Sequence, residues 1–376
     1  MITGYQRVSR KSPCRICGKP DWCSTTKDYN IAFCARSATN ADRLSIKGWG
    51  IFYYDRRIPS RGVYNQPKRI FKRAKSTSLA PIEIRNWIYQ RLIKLSPLPA
   101  NSELIYGNEW LVRKGQDCGR FGILPKLATE RHRLVLSLIE LLVKEKGTIP
   151  FFEGVPGFWR GSKRRTRLGS DFDYDTDLLL IPFLDSNGLI QACQLKIMGK
   201  TKSTSGKYQW LSSIGRSQGC SSGSPLHHEG SVGFSAKTIE TVLVTEGVLK
   251  AATAQHFMPD RYVVANGGVS TSHREIVNVA RRRILEIAFD VDSFTNPHVA
   301  RAMASLLALR IRAQRFLSCG KPTKILAWDR RFKGIDDALI AGASLKYLDM
   351  SDWLRLLTPE CFHEASHQLA GISLTK

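Results

Sequence analysis

Four short β-branched runs, each followed by a stretch of helical spacing, constrain the second half of this chain more than any other feature of its sequence. Residues 241–244, 262–264, 285–289 and 324–328 predict strands, and 248–256, 272–283, 297–312 and the segment after Asp336 predict helices. Strand and helix alternating at these lengths predict a parallel sheet flanked by helices. In such sheets reactive side chains collect just beyond the carboxyl ends of the strands. Three of the four ends here carry acids. Glu246 follows the first run, with Gly247 where the backbone must turn into a helix; Asp290 and Asp292 follow the third; Asp336 and Asp337 follow the fourth. Strand alternation would place Asp290 and Asp292 on one side. A single acid in such a place serves as a helix N-cap. Acids at three ends repel one another unless a cation sits among them, and hard oxygens at this density suit Mg²⁺ or Mn²⁺. On a basic chain, that arrangement points to phosphoryl transfer.

Upstream, 178–183 is an unbroken apolar run, 185–188 reads as a turn and 189–197 as a second run, which is the signature of a β-hairpin. Apolar residues at helical spacing (Ile84, Ile88, Leu92 and Leu95, and again across 131–144) predict two amphipathic helices. The Ser/Gly-rich stretch 212–224 reads as a loop, and no period of 20 to 50 residues recurs, which excludes a solenoid.

Cys14, Cys17, Cys23 and Cys34 place four thiols within 21 residues, with Gly18 supplying the turn after the first pair. Four soft ligands at this spacing suit tetrahedral Zn²⁺ in a closed structural site. A segment of about 50 residues without a core of its own would draw much of its stability from that metal. No βαβ pattern surrounds the first CxxC, which disfavours a redox role. Cys118, Cys193, Cys220, Cys319 and Cys361 are scattered.

Charge narrows the class of partner. The 376 residues hold 57 Lys and Arg against 32 Asp and Glu, a net +25; the first 80 hold 17 of the bases against Asp21, Asp28, Asp42 and Asp55, a net +13. About half of the excess therefore lies in the first fifth of the chain. Residues 56–78 contain no acid, and Lys68, Arg69, Lys72 and Arg73 crowd within them; such a segment reads as an extended arm over phosphates. No apolar stretch approaches the roughly 18 residues of a membrane span, and no apolar segment follows the basic start. The expectation is an unexported, cytoplasmic chain in a reducing compartment, with nucleic acid rather than a membrane as its polyanionic partner.

Glu246-Gly247 and Asp290-Val291-Asp292 resemble the pattern of the Toprim domain, which occurs in primases, topoisomerases and some nucleases. The run from Leu179 to Ile190, then Lys196, then Lys207-Tyr208-Gln209-Trp210-Leu211-Ser212-Ser213, is similar to the basic subdomain of bacterial DnaG-type primases, and the four cysteines stand where that family has its zinc ribbon. Gly154 to Phe158 and Lys333 to Asp337 bring the resemblance nearest to mobile-element primase-like proteins with a divergent Toprim domain.

The resemblance implies a multidomain α/β chain: a zinc ribbon (1–55), a basic linker arm (56–78), an α+β basic subdomain (79–235), a Toprim parallel-sheet domain (236–350) and a C-terminal tail (351–376). It implies a DNA-dependent RNA primase that makes short primers for a phage or plasmid, with single-stranded DNA and ribonucleoside triphosphates as substrates and a separate replicative helicase as partner. Ribbon and arm would hold the template, Lys196 and Lys207 would neutralise template or triphosphate, and Tyr208 and Trp210 would stack on a base or fill the core. Glu246, Asp290 and Asp292, with Asp336 or Asp337, would hold catalytic Mg²⁺ or Mn²⁺.

There are departures from the family pattern. Lys250 stands where that family has Asp four residues after the Toprim Glu; helical spacing puts it over the face of Glu246, as a rival to metal or a contact to triphosphate. Asp336-Asp337 replaces Asp-Pro-Asp, and Lys196 replaces an Arg. Lys250 favours a rival reading, a DNA-binding replication factor whose Toprim site performs no synthesis. A Toprim nuclease is a second rival, disfavoured by the ribbon and the hairpin. Gly199-Lys200-Thr201 has the ending of a phosphate-binding loop but Gln194 where its first Gly belongs, which excludes a fused P-loop helicase.

Overall fold

The computed structural model describes residues 5–26, 31–36, 41–45, 49–53, 77–98, 117–148, 151–197, 207–229, 239–317 and 320–370. It divides into two compact units, Met1–Arg73 and Ala74–Lys376. The basic arm with Lys68, Arg69, Lys72 and Arg73 lies outside the described residues.

In the first unit β1 (Tyr5–Arg7), β2 (Ser24–Thr26), β3 (Ile31–Cys34), β4 (Arg43–Leu44) and β5 (Gly50–Tyr53) form an antiparallel sheet in the order β1-β2-β3-β5-β4. Its buried apolar cluster is Val8, Cys14, Cys23 and Cys34, with Ile16, Cys17, Ala35 and Phe52 packed beside them. Thiols take the place that aliphatic side chains fill in a larger domain.

The second unit opens with α1 (Ile82–Leu95), β6 (Gly122–Leu124) and α2 (Ala128–Lys146), then a small hairpin of β7 (Phe158–Arg160) and β8 (Thr166–Leu168). The predicted large hairpin follows as β9 (Leu178–Leu184) and β10 (Ile190–Ile197), and β11 (Tyr208–Trp210) completes an antiparallel sheet in the order β11-β10-β9-β6. Asp185 makes the turn: its Oδ1 accepts the N–H groups of Asn187 and Leu189, both at 2.8 Å. Leu178 and Leu180 face α1 and α2, while Leu179, Ile181 and Phe183 face the other way, onto Val248 and Leu249. Burial on both faces explains why this strand reads as an unbroken apolar run rather than an alternating one.

The predicted strand-helix alternation appears as a six-stranded sheet. Its strands are β12 (His227–His228), β13 (Thr241–Glu246), β14 (Tyr262–Asn266), β15 (Ile284–Ala288), β16 (Thr323–Ala327) and β17 (Lys346–Leu348), in the order β12-β14-β13-β15-β16-β17. The inner four are parallel and the two edges antiparallel. The helices are α3 (Val248–Phe257), α4 (His273–Val279), α5 (Pro297–Leu317), α6 (Ile335–Ile340), α7 (Met350–Arg355) and α8 (Pro359–Leu369). Leu243, Val263 and Ala265 meet α3 and α6 on one face; Val242, Val244 and Val264 meet the core of α4, α5, α7 and α8 on the other.

Two expectations are corrected. The helix expected over 272–283 stops at Val279, because buried Arg310 of α5 donates from Nη1 to the Ala280 carbonyl (2.9 Å) and from Nη2 to that of Arg283 (2.7 Å), capping the helix where the chain must turn into β15. Residues 351–369, set apart as a tail, form α7 and α8, whose Trp353, Cys361, Ala365 and Leu369 belong to the sheet's core. No helix among the described residues is long and apolar enough to cross a membrane.

Candidate active site

Read by position in the chain, the parallel strands run second, first, third, fourth (β14-β13-β15-β16). The order reverses between β13 and β15, and such a switch point opens a crevice beyond the carboxyl ends of those two strands. Glu246 ends β13, and Asp290 follows β15 by two residues. Both line a cleft of about 470 Å³ together with Lys250, Lys333, Asp336 and Asp337 on the parallel-sheet side and Gln194, Lys196, Lys207 and Tyr208 of the β10–β11 side. The structure thus gathers most of the predicted residues from sequence positions nearly 150 apart. Gly247 makes the turn at φ +84° and ψ 149°, a conformation open essentially to glycine.

The acids differ from expectation in detail. Asp290 and Asp292 do not alternate on a strand end: the strand stops at Ala288, Asp290 caps a 3₁₀ turn spanning Val291–Phe294, and Asp292 lies inside it. The Asp292 carbonyl accepts the Asn296 N–H at 2.7 Å, which holds the turn. Lys250 does not simply cover Glu246; its ammonium donates to Asp290 Oδ1. Lys333 stands 4.0 Å from Asp290 Oδ2. A Cβ on Gly334 would lie 2.8 Å from Lys250 Cε and 3.5 Å from Asp290 Oδ1, so the absence of a side chain there admits the pair.

Burial raises the Glu246 pKa; the Lys250 ammonium works against it, while Asp290 and Asp292 add to it. Asp290 is raised for the same first reason, again opposed by Lys250. Burial alone would lower the Lys250 pKa, but Asp290, Glu246 and Asp336 more than offset it and hold the ammonium charged. Burial, then Asp336, Glu246 and Asp290, push the Tyr208 phenol up. Lys196 Nζ lies 5.9 Å from the Tyr208 ring centroid. Trp210 packs on Phe183 (centroids 4.5 Å apart), and a Cβ on Gly267 would overlap its ring; of its two expected roles it fills the packing one.

Asp292 Oδ1 is buried with no hydrogen-bond partner, as are both ends of the Asn266 amide, which pairs in register with Glu246. An orphaned carboxylate oxygen beside other acids fits a hard divalent cation. Asp290 Oδ1 is already engaged by Lys250. Sequence reasoning missed Asn266, Lys333 and Gln194. The Gln194 amide donates to the Gly267 carbonyl at 3.0 Å and so ties the two sheets together across the cleft.

In the first unit the four cysteine sulfurs lie within 4.8 Å of one another, the only such group of three or more Cys, His, Asp or Glu among the described residues. Cys17 and Cys23 are 3.7 Å apart, Cys23 and Cys34 3.9 Å. A tetrahedron with zinc-sulfur bonds of about 2.3 Å has edges of about 3.8 Å, so the four thiols have the spacing of a structural zinc site. Gly18, at φ +69°, turns the knuckle, its N–H donating to the Cys14 carbonyl at 2.7 Å. Burial, then the neighbouring Cys17 and Cys14, push the Cys23 thiol up against the Ala35 N–H, so a thiolate at Cys23 calls for a cation.

No family model and no curated protein matches the sequence. Its structural neighbours are DnaG-type primase domains at low identity. The zinc-binding and RNA polymerase domains of the Aquifex aeolicus primase are 16% identical with a TM-score of 0.47, over 79% of this chain and 74% of that one. The RNA polymerase domain of Mycobacterium tuberculosis primase DnaG, in complex with double-stranded DNA, is 15% identical with a TM-score of 0.46, over 77% and 96%. A DnaG primase catalytic domain bound to single-stranded DNA is 14% identical with a TM-score of 0.44, over 73% and 81%.

Proposed function

We propose that this chain is a DNA primase of the DnaG type with a divergent Toprim site, making short RNA primers on single-stranded DNA for a phage or plasmid. The observation that carries this reading is the convergence, in one cleft at the switch point, of Glu246, Asp290, Asp336 and Asp337 with Lys196, Lys207, Lys250 and Lys333. Acids alone would repel a triphosphate and bases alone would only bind it; nucleotidyl transfer needs both.

Lys196 and Lys207 offset the charge of template or triphosphate from the β10–β11 side. The Lys250 ammonium fixes Asp290, Glu246 and Asp337 line the same cleft, and Asp292 stands two residues on in the 3₁₀ turn with its buried oxygen. Mg²⁺ or Mn²⁺ bound there would supply charge stabilisation on the attacking and leaving oxygens. The zinc ribbon and basic arm hold the template, and a separate replicative helicase would deliver it. One observation favours a second reading, a DNA-binding replication factor without synthesis: the Lys250 ammonium occupies an oxygen of Asp290.

The two readings part in one assay. Full-length protein is incubated with single-stranded DNA of mixed sequence, labelled ribonucleoside triphosphates and Mg²⁺ or Mn²⁺. The primase reading requires short labelled products that Asp292→Asn abolishes; DNA binding without product in either metal moves the chain to the second reading.

A further inference from the structure

We propose that Lys250 is an exchangeable cation: it holds the Asp290 carboxylate until a nucleoside triphosphate arrives, then passes to the phosphates, so that Asp290 opens to a divalent ion only once nucleotide is bound. The inference rests on the nucleotidyl-transfer reading of the cleft and adds an order of binding to it.

The ion pair sets the starting position. The Lys250 ammonium donates to Asp290 Oδ1, and Lys333, 72% exposed, stands 4.0 Å from Oδ2. At that distance Lys333 screens the second oxygen without bonding it. The Asp290 side chain is only 6% exposed, so an ion that seeks it approaches from the cleft, where the ammonium already stands. A divalent ion and an ammonium on one carboxylate oxygen repel each other, and buried surroundings screen them poorly.

The helix sets the finishing position. Lys250 is the third residue of α3, whose amino end carries no acid in its first turn and no side-chain cap. Gly247, Val248 and Leu249 of that end line the cleft beside it. Backbone N–H groups at a helix start attract phosphate, so an anion seated there meets the same turn that carries the ammonium. Gly334 has no side chain where a Cβ would lie 2.8 Å from Lys250 Cε, which leaves the lysine stem room on that side.

Charge gives the exchange its direction. The cleft is lined by four acids and four lysines, a balance that gives a lone divalent ion little net attraction. A triphosphate tips that balance to the negative side, offers the lysines new partners and leaves Asp290 with an oxygen for metal. Nucleotide and metal then strengthen each other's binding by the same factor, as linkage requires. A fixed counter-ion behaves differently: it keeps metal from Asp290 with or without nucleotide and adds nothing to nucleotide affinity.

Two equilibrium measurements on the full chain test the exchange, without DNA or turnover. Mn²⁺ binding to the nucleotide-free protein is followed by electron paramagnetic resonance. Binding of a fluorescent adenosine triphosphate analogue, with a methylene bridge between the α and β phosphates, is followed by anisotropy in EDTA. Coupling between sites is typically a factor of about 5 to 150, so Lys250→Met should strengthen Mn²⁺ binding by a factor in that range and weaken metal-free analogue binding by at least its lower bound. Lys250→Gln, which keeps a donor for Asp290 without the charge, repeats both measurements if the methionine variant melts early. Unchanged Mn²⁺ affinity in a variant that melts like the wild type would overturn the exchange. So would stronger Mn²⁺ binding with analogue affinity unaltered, the mark of a fixed counter-ion. A chain that makes primers yet fails both measurements loses this inference alone; one that passes both yet makes no primers loses the proposed activity alone.

Discussion

Asp290 and Asp292 are two residues apart and carry the same charge, yet they make opposite demands on the fold. Asp290 is the counter-ion of Lys250, and its removal strands an ammonium in a largely buried position. Asp290→Asn is therefore expected to end synthesis and to lower stability by about 1–3 kcal/mol, with Lys250→Met in the same background restoring stability but not synthesis. Asp292 has a buried oxygen that nothing satisfies, so Asp292→Asn should end synthesis with stability unchanged or slightly raised. Urea denaturation beside a primer assay separates the two; equal stability losses would show that both acids are structural. The acids themselves were legible in the sequence because a strand end followed by a turn is a local pattern. The partner of Lys250 was not, because helical spacing reaches only Glu246, whereas Asp290 arrives through the pairing of β13 with β15. Lys333 opens the run to Asp337 that carries the family resemblance, but its place beside Asp290 depends on Gly334, whose missing side chain makes room for the pair.

Between elements, β12 is two residues long but joins both sheets. It pairs with β14 while His227, fully buried, accepts the Leu184 N–H at Nδ1 (3.0 Å) and meets Glu229 at Nε2 (2.7 Å); Arg120 grips the same Glu229 at 2.5 and 2.9 Å. With Nδ1 accepting, the imidazole is neutral and Nε2 donates. Burial lowers its pKa, opposed by Glu229, and His228 beside it is lowered to about 4, again by burial first. The unfolded chain then binds more protons than the folded one below the ordinary His pKa of about 6.5, so these groups' contribution is present above that pH and lost as pH falls through it. Glu229, lowered by His227 and Arg120 against its burial, adds a loss only at more acidic pH, below the ordinary carboxylate value of about 4.3. Unfolding midpoints at pH 7.5 and 5.5 should fall more for the wild type than for His227→Gln, and an equal fall would place the sensitive group elsewhere. The β9–β10 hairpin was legible because apolar runs and an Asp-Gly turn are local. β12 was not, since two histidines carry no strand signal and gain their place only from the neighbours they bond. The early end of α4 was hidden for a like reason: the cap is Arg310, about 30 residues on.

At the scale of the whole molecule the two compact units depend on different chemistry. The first is centred on thiols, the second on layers of aliphatic side chains. A strong zinc chelator is expected to release about one equivalent of metal and unfold only the first unit, leaving the second with an unchanged melting transition. Limited proteolysis would then cut within the described strands of the first unit and spare the described helices and strands of the second; a chelated chain whose first unit resists would show that the thiols need no metal. The overall plan was legible because strand-helix alternation and clustered cysteines are patterns of composition along the chain. The helical character of 350–369 left only a faint signal, the i, i+4 spacing of Cys361, Ala365 and Leu369, because its apolar face is defined by the sheet core it covers.

A strand covered on both faces must wait for its second cover. The chain leaves the ribosome amino end first, so α1 and α2 are already present to shelter Leu178 and Leu180 as β9 emerges. Val248 and Leu249, which shelter Leu179, Ile181 and Phe183, are translated only after the loop and the connection to the parallel sheet. For that interval the nascent protein exposes an oily sheet face to water, and the speed of translation through residues 200–247 sets how long that face stays uncovered.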